Sequence, residues 1–240
     1  MKNEDRVTTG VQGIDSLVGG GYIKNSVISL SGGPGSGKTT FALQFLLQGI
    51  KEDENVMYIS FNLKKKEIFQ HINQLNLGLD MDVIKNRMLV IEYPPGEIQE
   101  LLKRHGAIRE MIDTANVTRV VIDPITSFVY IQPDVHQRRE YLYSIVDNLK
   151  NWNVTSLIID HDSKYELLEI PQTLTGIEGF TDGYIHLSYL LNIEKMERNR
   201  GLEILKMRGA QDDTKVHKIF ITEQGIVVDD VSLKRAKPRK

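Results

Sequence analysis

Gly32-Gly33-Pro34-Gly35-Ser36-Gly37-Lys38-Thr39 decides the reading of this chain. It fits G-x-x-x-x-G-K-[ST], the pattern of a phosphate-binding P-loop. The pattern carries weight only between a strand and a helix, and the sequence predicts both. Val27 to Leu30 is a short β-rich run, and Thr39 to Ile50 reads as an apolar helix. The glycines let the chain wrap until successive backbone N–H groups point inward, and the positive end of the helix adds to their pull on phosphate. Gly33, Gly35, Ser36, Gly37, Lys38, Thr39 and Thr40 are therefore the expected nucleotide-binding residues. Lys38 is expected on the β- and γ-phosphate oxygens, and the Thr39 hydroxyl on Mg²⁺.

The rest of the chain alternates strand and helix. Strands are predicted at Val56–Ser60, Met88–Ile91, Arg119–Asp123 and Val154–Ile159. Helices are predicted at Lys64–Leu75, where Ile68, Phe69, Ile72 and Leu75 share a face, at Glu97–Thr114 and at Gln137–Asn151. This order predicts an α/β fold with a mostly parallel sheet flanked by helices. Past about residue 183 the strands follow one another directly, at Tyr184–Leu190, Leu202–Met207, Val216–Ile221 and Ile226–Val228. They predict a C-terminal antiparallel extension of the same sheet. One domain over residues 1–230 is expected, with a basic tail at 231–240. Asp123 closes the apolar run Val120-Val121-Ile122 and takes the place of the Walker-B carboxylate that holds the Mg²⁺ shell.

Composition narrows the function classes. The chain has 240 residues, no cysteine and a formal net charge of −2. Disulfides, thiolate metal sites and cysteine nucleophiles are excluded. A near-neutral balance argues against a dedicated nucleic-acid binder. Without a signal segment or an 18-residue apolar run, no membrane insertion and a cytoplasmic location are the expectations.

The chain resembles a single KaiC-type domain, of archaeal type, within the RecA-like P-loop ATPases. The resemblance rests on Thr9-Gly10-Val11-Gln12-Gly13-Ile14-Asp15 and Gly19-Gly20-Gly21 near the start, on GGPGSGKTTFALQFL, and on VVIDPITSF around Asp123. It extends to Leu202–Gly209 (LEILKMRG) and to ITEQGIVV. It implies ATP and Mg²⁺ as cofactors and a homohexameric ring with ATP between subunits. It further implies that Lys206 and Arg208 reach the neighbouring subunit's γ-phosphate, in the manner of an arginine finger. Read alone, K-x-R at a strand end is a solvated edge.

Three departures from that family pattern matter. Where the family carries a pair of glutamates, this chain has Asn62 and Leu63. Asparagine can orient a water but cannot take its proton, and leucine can do neither. Hydrolysis is expected to be slow or absent, with Glu67 the nearest substitute acid. Where the family often has a histidine beyond Arg208, this chain reads Ala210-Gln211-Asp212-Asp213. The strand at Val154–Ile159 ends in Asp160-His161-Asp162, where RecA-like folds keep a polar γ-phosphate sensor that Asp160 or His161 could supply. Two acids flanking a histidine also resemble a metal site, but without further ligands a plain loop is the better reading. The function expected is an ATP-binding regulatory or scaffold ATPase that assembles with itself and binds a protein partner. A RecA-type DNA-repair ATPase is the first alternative, disfavoured by the acidic Tyr165–Gly179. An autophosphorylating Ser/Thr kinase-like homologue is the second.

Overall fold

The computed structural model describes residues 5–93, 105–126, 134–162, 170–192, 196–210 and 215–229. At its centre is β3 (Val27–Gly32), whose end becomes the P-loop leading into α2 (Lys38–Lys51). On one side of β3 stand β7 (Thr155–Ile159), β6 (Val117–Asp123), β4 (Asn55–Ser60) and β5 (Met88–Glu92), in that spatial order and all parallel. On the other side β8 (Gly183–Asn192) is also parallel to β3. The direction reverses at β9 (Glu197–Met207) and again at β10 (Val216–Thr222) and β11 (Gly225–Val228). The antiparallel extension thus begins one strand later than its sequence suggests, because β8 takes its direction from β3.

Alternate residues of the inner strands feed two cores. Tyr58, Val121 and Leu157 point to the face covered by α2, α3 (Lys65–Gln74) and α4 (Met81–Arg87). Met57, Val120 and Ile158 point to the face covered by α5 (His105–Ala115) and α6 (Val135–Asn151). Burial on both sides explains why these strands read as continuous apolar runs. The helix expected at Glu97–Thr114 is described from His105 onward. The tail at 231–240 and Asp212 lie outside the described residues.

Two small elements precede the sheet. β1 (Arg6–Val7) and β2 (Tyr22–Ile23) form a hairpin around the short helix α1 (Ile14–Leu17). Gln44, buried on α2, accepts from the Ile226 N–H at 2.6 Å and donates to Ile226 O at 3.2 Å. It thereby closes the free backbone groups of β11 against the helix that carries the P-loop.

Candidate nucleotide site

The P-loop takes the shape its glycines permit. Gly37 has φ 111°, in the left-handed region, and a Cβ there would come within 3.1 Å of Ile221 and Ile226. A Cβ on Gly35 (φ 74°) would meet the Tyr189 hydroxyl at 2.8 Å. Gly33 and Thr40 are half-buried along the same turn. The Ser36 hydroxyl is fully buried and has no hydrogen-bond partner among the described residues. An orphaned polar atom inside a loop of inward N–H groups suits an anionic ligand.

Lys38 folds back over this loop. Its Nζ donates to Gly32 O at 2.5 Å and Gly33 O at 3.0 Å. Burial pushes its pKa down, while the charges of Asp162, Asp123 and Asp160 oppose that shift. Nucleotide phosphates arriving at the loop would supply further negative charge beside this ammonium.

β7 separates the P-loop strand β3 from the Walker-B strand β6, so Asp123 faces the loop from two strands away. Thr39 Oγ1 donates to Asp123 Oδ2 at 3.2 Å, and the Tyr58 hydroxyl donates to the same oxygen. Burial raises the Asp123 pKa against the lowering effect of those two bonds. The hydroxyl of Thr39 beside a buried carboxylate is a fitting oxygen donor set for Mg²⁺.

Beside Asp123 stands the loop that lacks its acids. Ser60 pairs with Asp123, and the Phe61 N–H donates to Asp123 O at 2.9 Å. Asn62 is exposed, while Leu63 packs on the core and its N–H donates to Ser60 Oγ at 2.9 Å. Glu67 does not replace the missing base. Its carboxylate accepts from the Lys64 N–H at 2.7 Å, and Glu92 accepts from the Lys65 N–H at 2.9 Å. Both acids cap α3.

The Asp160-His161-Asp162 segment divides its roles. Asp160 is fully buried and accepts from Thr126 Oγ1 at 2.9 Å, the His161 N–H at 2.7 Å and the Thr175 hydroxyl. Those bonds occupy both oxygens, so Asp160 holds the loop together and is not aimed at a phosphate. His161 is exposed; partial burial and then the Lys38 charge lower its pKa, which places it near the P-loop lysine. Asp162 approaches His186 Nδ1 at 3.4 Å. No metal-binding group of three His, Asp or Glu side chains occurs among the described residues.

Lys206 and Arg208 lie at the opposite end of the strands. Lys206 pairs with Tyr184 at the start of β8, whereas Gly32 pairs with Leu187 and Arg200 with Tyr189 at the P-loop end. The six residue steps from Arg200 to Lys206 span roughly 20 Å at the usual rise. Neither cation reaches the P-loop of its own chain. Lys206 Nζ meanwhile donates to Glu178 O at 3.0 Å and Thr181 O at 2.5 Å.

Two further residues at the P-loop escaped the sequence reading. Arg200 Nε donates to Gly35 O at 3.3 Å, and its guanidinium stacks over Tyr189, whose hydroxyl donates to Pro34 O at 3.3 Å. A guanidinium is thereby fixed at the rim of the loop. The only sequence signal was an arginine in the alternation Arg200, Leu202, Ile204 of β9.

Comparison with known proteins accords with this geometry. A family model described as "ATPase: KaiC" matches residues 7–232. A UPF0273 protein of Pyrococcus horikoshii is 28% identical over 247 residues, covering 97% of each chain. One from Aeropyrum pernix is 29% identical over 240 residues, covering 93% of each. The circadian clock protein KaiC2 of Synechocystis is 26% identical, with 93% of this chain matching 39% of that protein. The crystal structure of a KaiC-like protein from Pyrococcus horikoshii gives a TM-score of 0.80 at 25% identity, covering 94% of this chain and 99% of that one. A P-loop faced by an aspartate at the end of β6, in a chain whose residues 7–232 match the family model, has one consistent reading: the chain belongs to the KaiC ATPase family.

Proposed function

We propose that this protein is a regulatory or scaffold ATPase that holds ATP and Mg²⁺ at subunit interfaces, with slow or absent hydrolysis. The observation that supports this reading is a glycine-rich loop with Lys38, Thr39 and Asp123 gathered at it, beside a strand end that carries no carboxylate at Asn62 and Leu63. Lys38, Thr39 and Asp123 are arranged to bind, while Asn62 and Leu63 leave no carboxylate where an attacking water needs a base. Bound Mg²⁺ would supply charge neutralisation across the β- and γ-phosphates. The chain's own residues do the rest: the loop N–H groups orient the phosphates, Lys38 compensates their charge, and Arg200 with Tyr189 flanks the rim.

The interface role is supported by the placement of Lys206 and Arg208 at the far end of the strands from the P-loop, together with the family resemblance. A ligand contacted by two subunits stabilises their association by mass action, which makes ATP a control on assembly, on a ring such as the hexamer, and through it on partner binding. The groove between α3 and α4 lined by Lys65, Lys66, Phe69, His71, Met81 and Lys85, about 900 Å³ in volume, offers a surface for such a partner. Sedimentation velocity with and without ATP·Mg²⁺ tests the reading. Wild-type protein is expected to assemble only with nucleotide and Lys38→Ala to stay dispersed; assembly indifferent to nucleotide contradicts it.

A further inference from the structure

Asp182 sits where three parts of the molecule meet. Its Oδ2 accepts from the backbone N–H of Val27, the first residue of the P-loop strand, at 3.0 Å. Its Oδ1 accepts from Lys150 Nζ in the last turn of α6 at 2.9 Å and from Arg208 Nη1 at 2.7 Å. The backbone repeats the tie: the Asp182 N–H donates to Val27 O at 2.7 Å, and the Arg208 N–H donates to Asp182 O at 3.0 Å. Lys206 is moored to the same segment through the carbonyl oxygens of Glu178 and Thr181.

A plain structural role would need less than this. Val27 and Lys150 alone would fasten the start of β3 to α6, and a surface ion pair to Arg208 would add little. The exposure pattern is what points further. The Asp182 side chain is 13% exposed and that of Arg208 is 61% exposed, so a shielded carboxylate grips a cation that stands out from the surface. A guanidinium has five donors in a rigid planar fork. With Nη1 on Asp182, the opposite edge is left to meet an anion. An arginine held by one edge has fewer rotamers to lose when the other edge binds.

We propose that Asp182 is the positioning residue for Arg208 at the phosphate site of the adjoining subunit. The inference rests on the interface reading given above. Asp182 then stands between two nucleotide sites. One is the neighbour's, which Arg208 completes; the other is at the far end of β3, whose first N–H Asp182 holds.

The test is a double-mutant cycle on binding of a fluorescent ATP analogue with Mg²⁺, at protein concentrations where the assembly forms. Asp182→Asn keeps an acceptor for the Val27 N–H and removes the charge. Asp182→Asn and Arg208→Ala are each expected to weaken binding about 10-fold, and the double variant to be no weaker than Arg208→Ala alone. Wild-type binding by Asp182→Asn, or effects that multiply in the double variant, overturns the positioning role and leaves the interface reading standing. Wild-type binding and assembly by Arg208→Ala overturns the interface reading itself. Arg208→Lys probes the proposal without touching Asp182. It is expected to bind as weakly as Arg208→Ala, because an ammonium cannot offer two edges, and full binding by this variant contradicts the proposal.

Discussion

Asn62 is exposed two residues beyond the pairing of Ser60 with Asp123, and its amide can hold a water in place but cannot accept a proton from it. Replacing Asn62 and Leu63 together by glutamate is expected to raise steady-state ATP hydrolysis by about 10²-fold, within the usual range for a general base. Phosphate release from purified protein measures it, and an unchanged rate would place the bottleneck elsewhere in the site. Asp182 offers a pH test. Burial alone would raise its pKa, but the bonds from Lys150 and Val27 and the charges of Lys150 and Arg208 outweigh it, leaving the value below the ordinary 3.8. A depressed carboxylate stabilises the fold fully above about pH 4, and that contribution is lost as pH falls through its native value. Thermal melts below pH 4 should therefore narrow the gap between wild type and Asp182→Asn; a gap that widens on acidification contradicts the assignment. At this scale the sequence was legible where chemistry imposes a fixed spacing, as from Gly32 to Thr39. It was not legible for Asp160, whose fate depends on Thr126 and Thr175, nor for Arg200, which only the pairing of β9 with β8 brings to Gly35.

The elements were legible in proportion to how much apolar surface they bury. β3, β4, β6 and β7 are buried on both faces and show as unbroken apolar runs, and α2 follows from the motif that starts it. α4 passed unnoticed because it has seven residues and one buried side chain, Ile84, although Asp80 caps it by accepting from the Asp82 N–H at 2.7 Å. The β1–β2 hairpin was equally hidden. It has two residues a strand, and Arg6 secures it through Val18 O, Gly21 O and Gly209 O, bonds to residues distant in sequence. Arg119 at the start of β6 is the strongest long-range tie of this kind. Its fully buried guanidinium bonds Glu54 at 2.6 Å, Glu52 at 2.5 Å, Thr8 O at 2.7 Å and Phe45 O at 3.1 Å. It thus joins β6, the end of α2 and the N-terminal segment. Arg119→Ala would open a cavity and leave the Thr8 and Phe45 carbonyls unpaired, while the partly exposed Glu52 and Glu54 keep other donors, at a cost of about 3 kcal/mol. Urea unfolding measures this, and a loss under 1 kcal/mol would show that the cluster relaxes around the gap.

At the scale of the molecule, strand order sets what one subunit can do alone. The P-loop, Asp123 and Arg200 gather at the end of the sheet where β3 and β6 finish, while Lys206 and Arg208 stand at the other. Alternation of strand and helix announced the parallel half, but nothing in a linear sequence fixes which strands neighbour one another across the sheet. The distance between the two cation sets became visible only with the register of β8 against β9. A chain so divided has the P-loop at one end of its strands and two cations at the other, the arrangement that the proposed role of ATP as a ligand joining subunits requires. Native mass spectrometry after prolonged incubation with ATP and Mg²⁺ tests this most directly, since one spectrum reports both the size of the assembly and the nucleotide in it. A closed oligomer carrying intact ATP is expected, absent for Lys38→Ala. Monomers, or assemblies carrying only ADP, would contradict it.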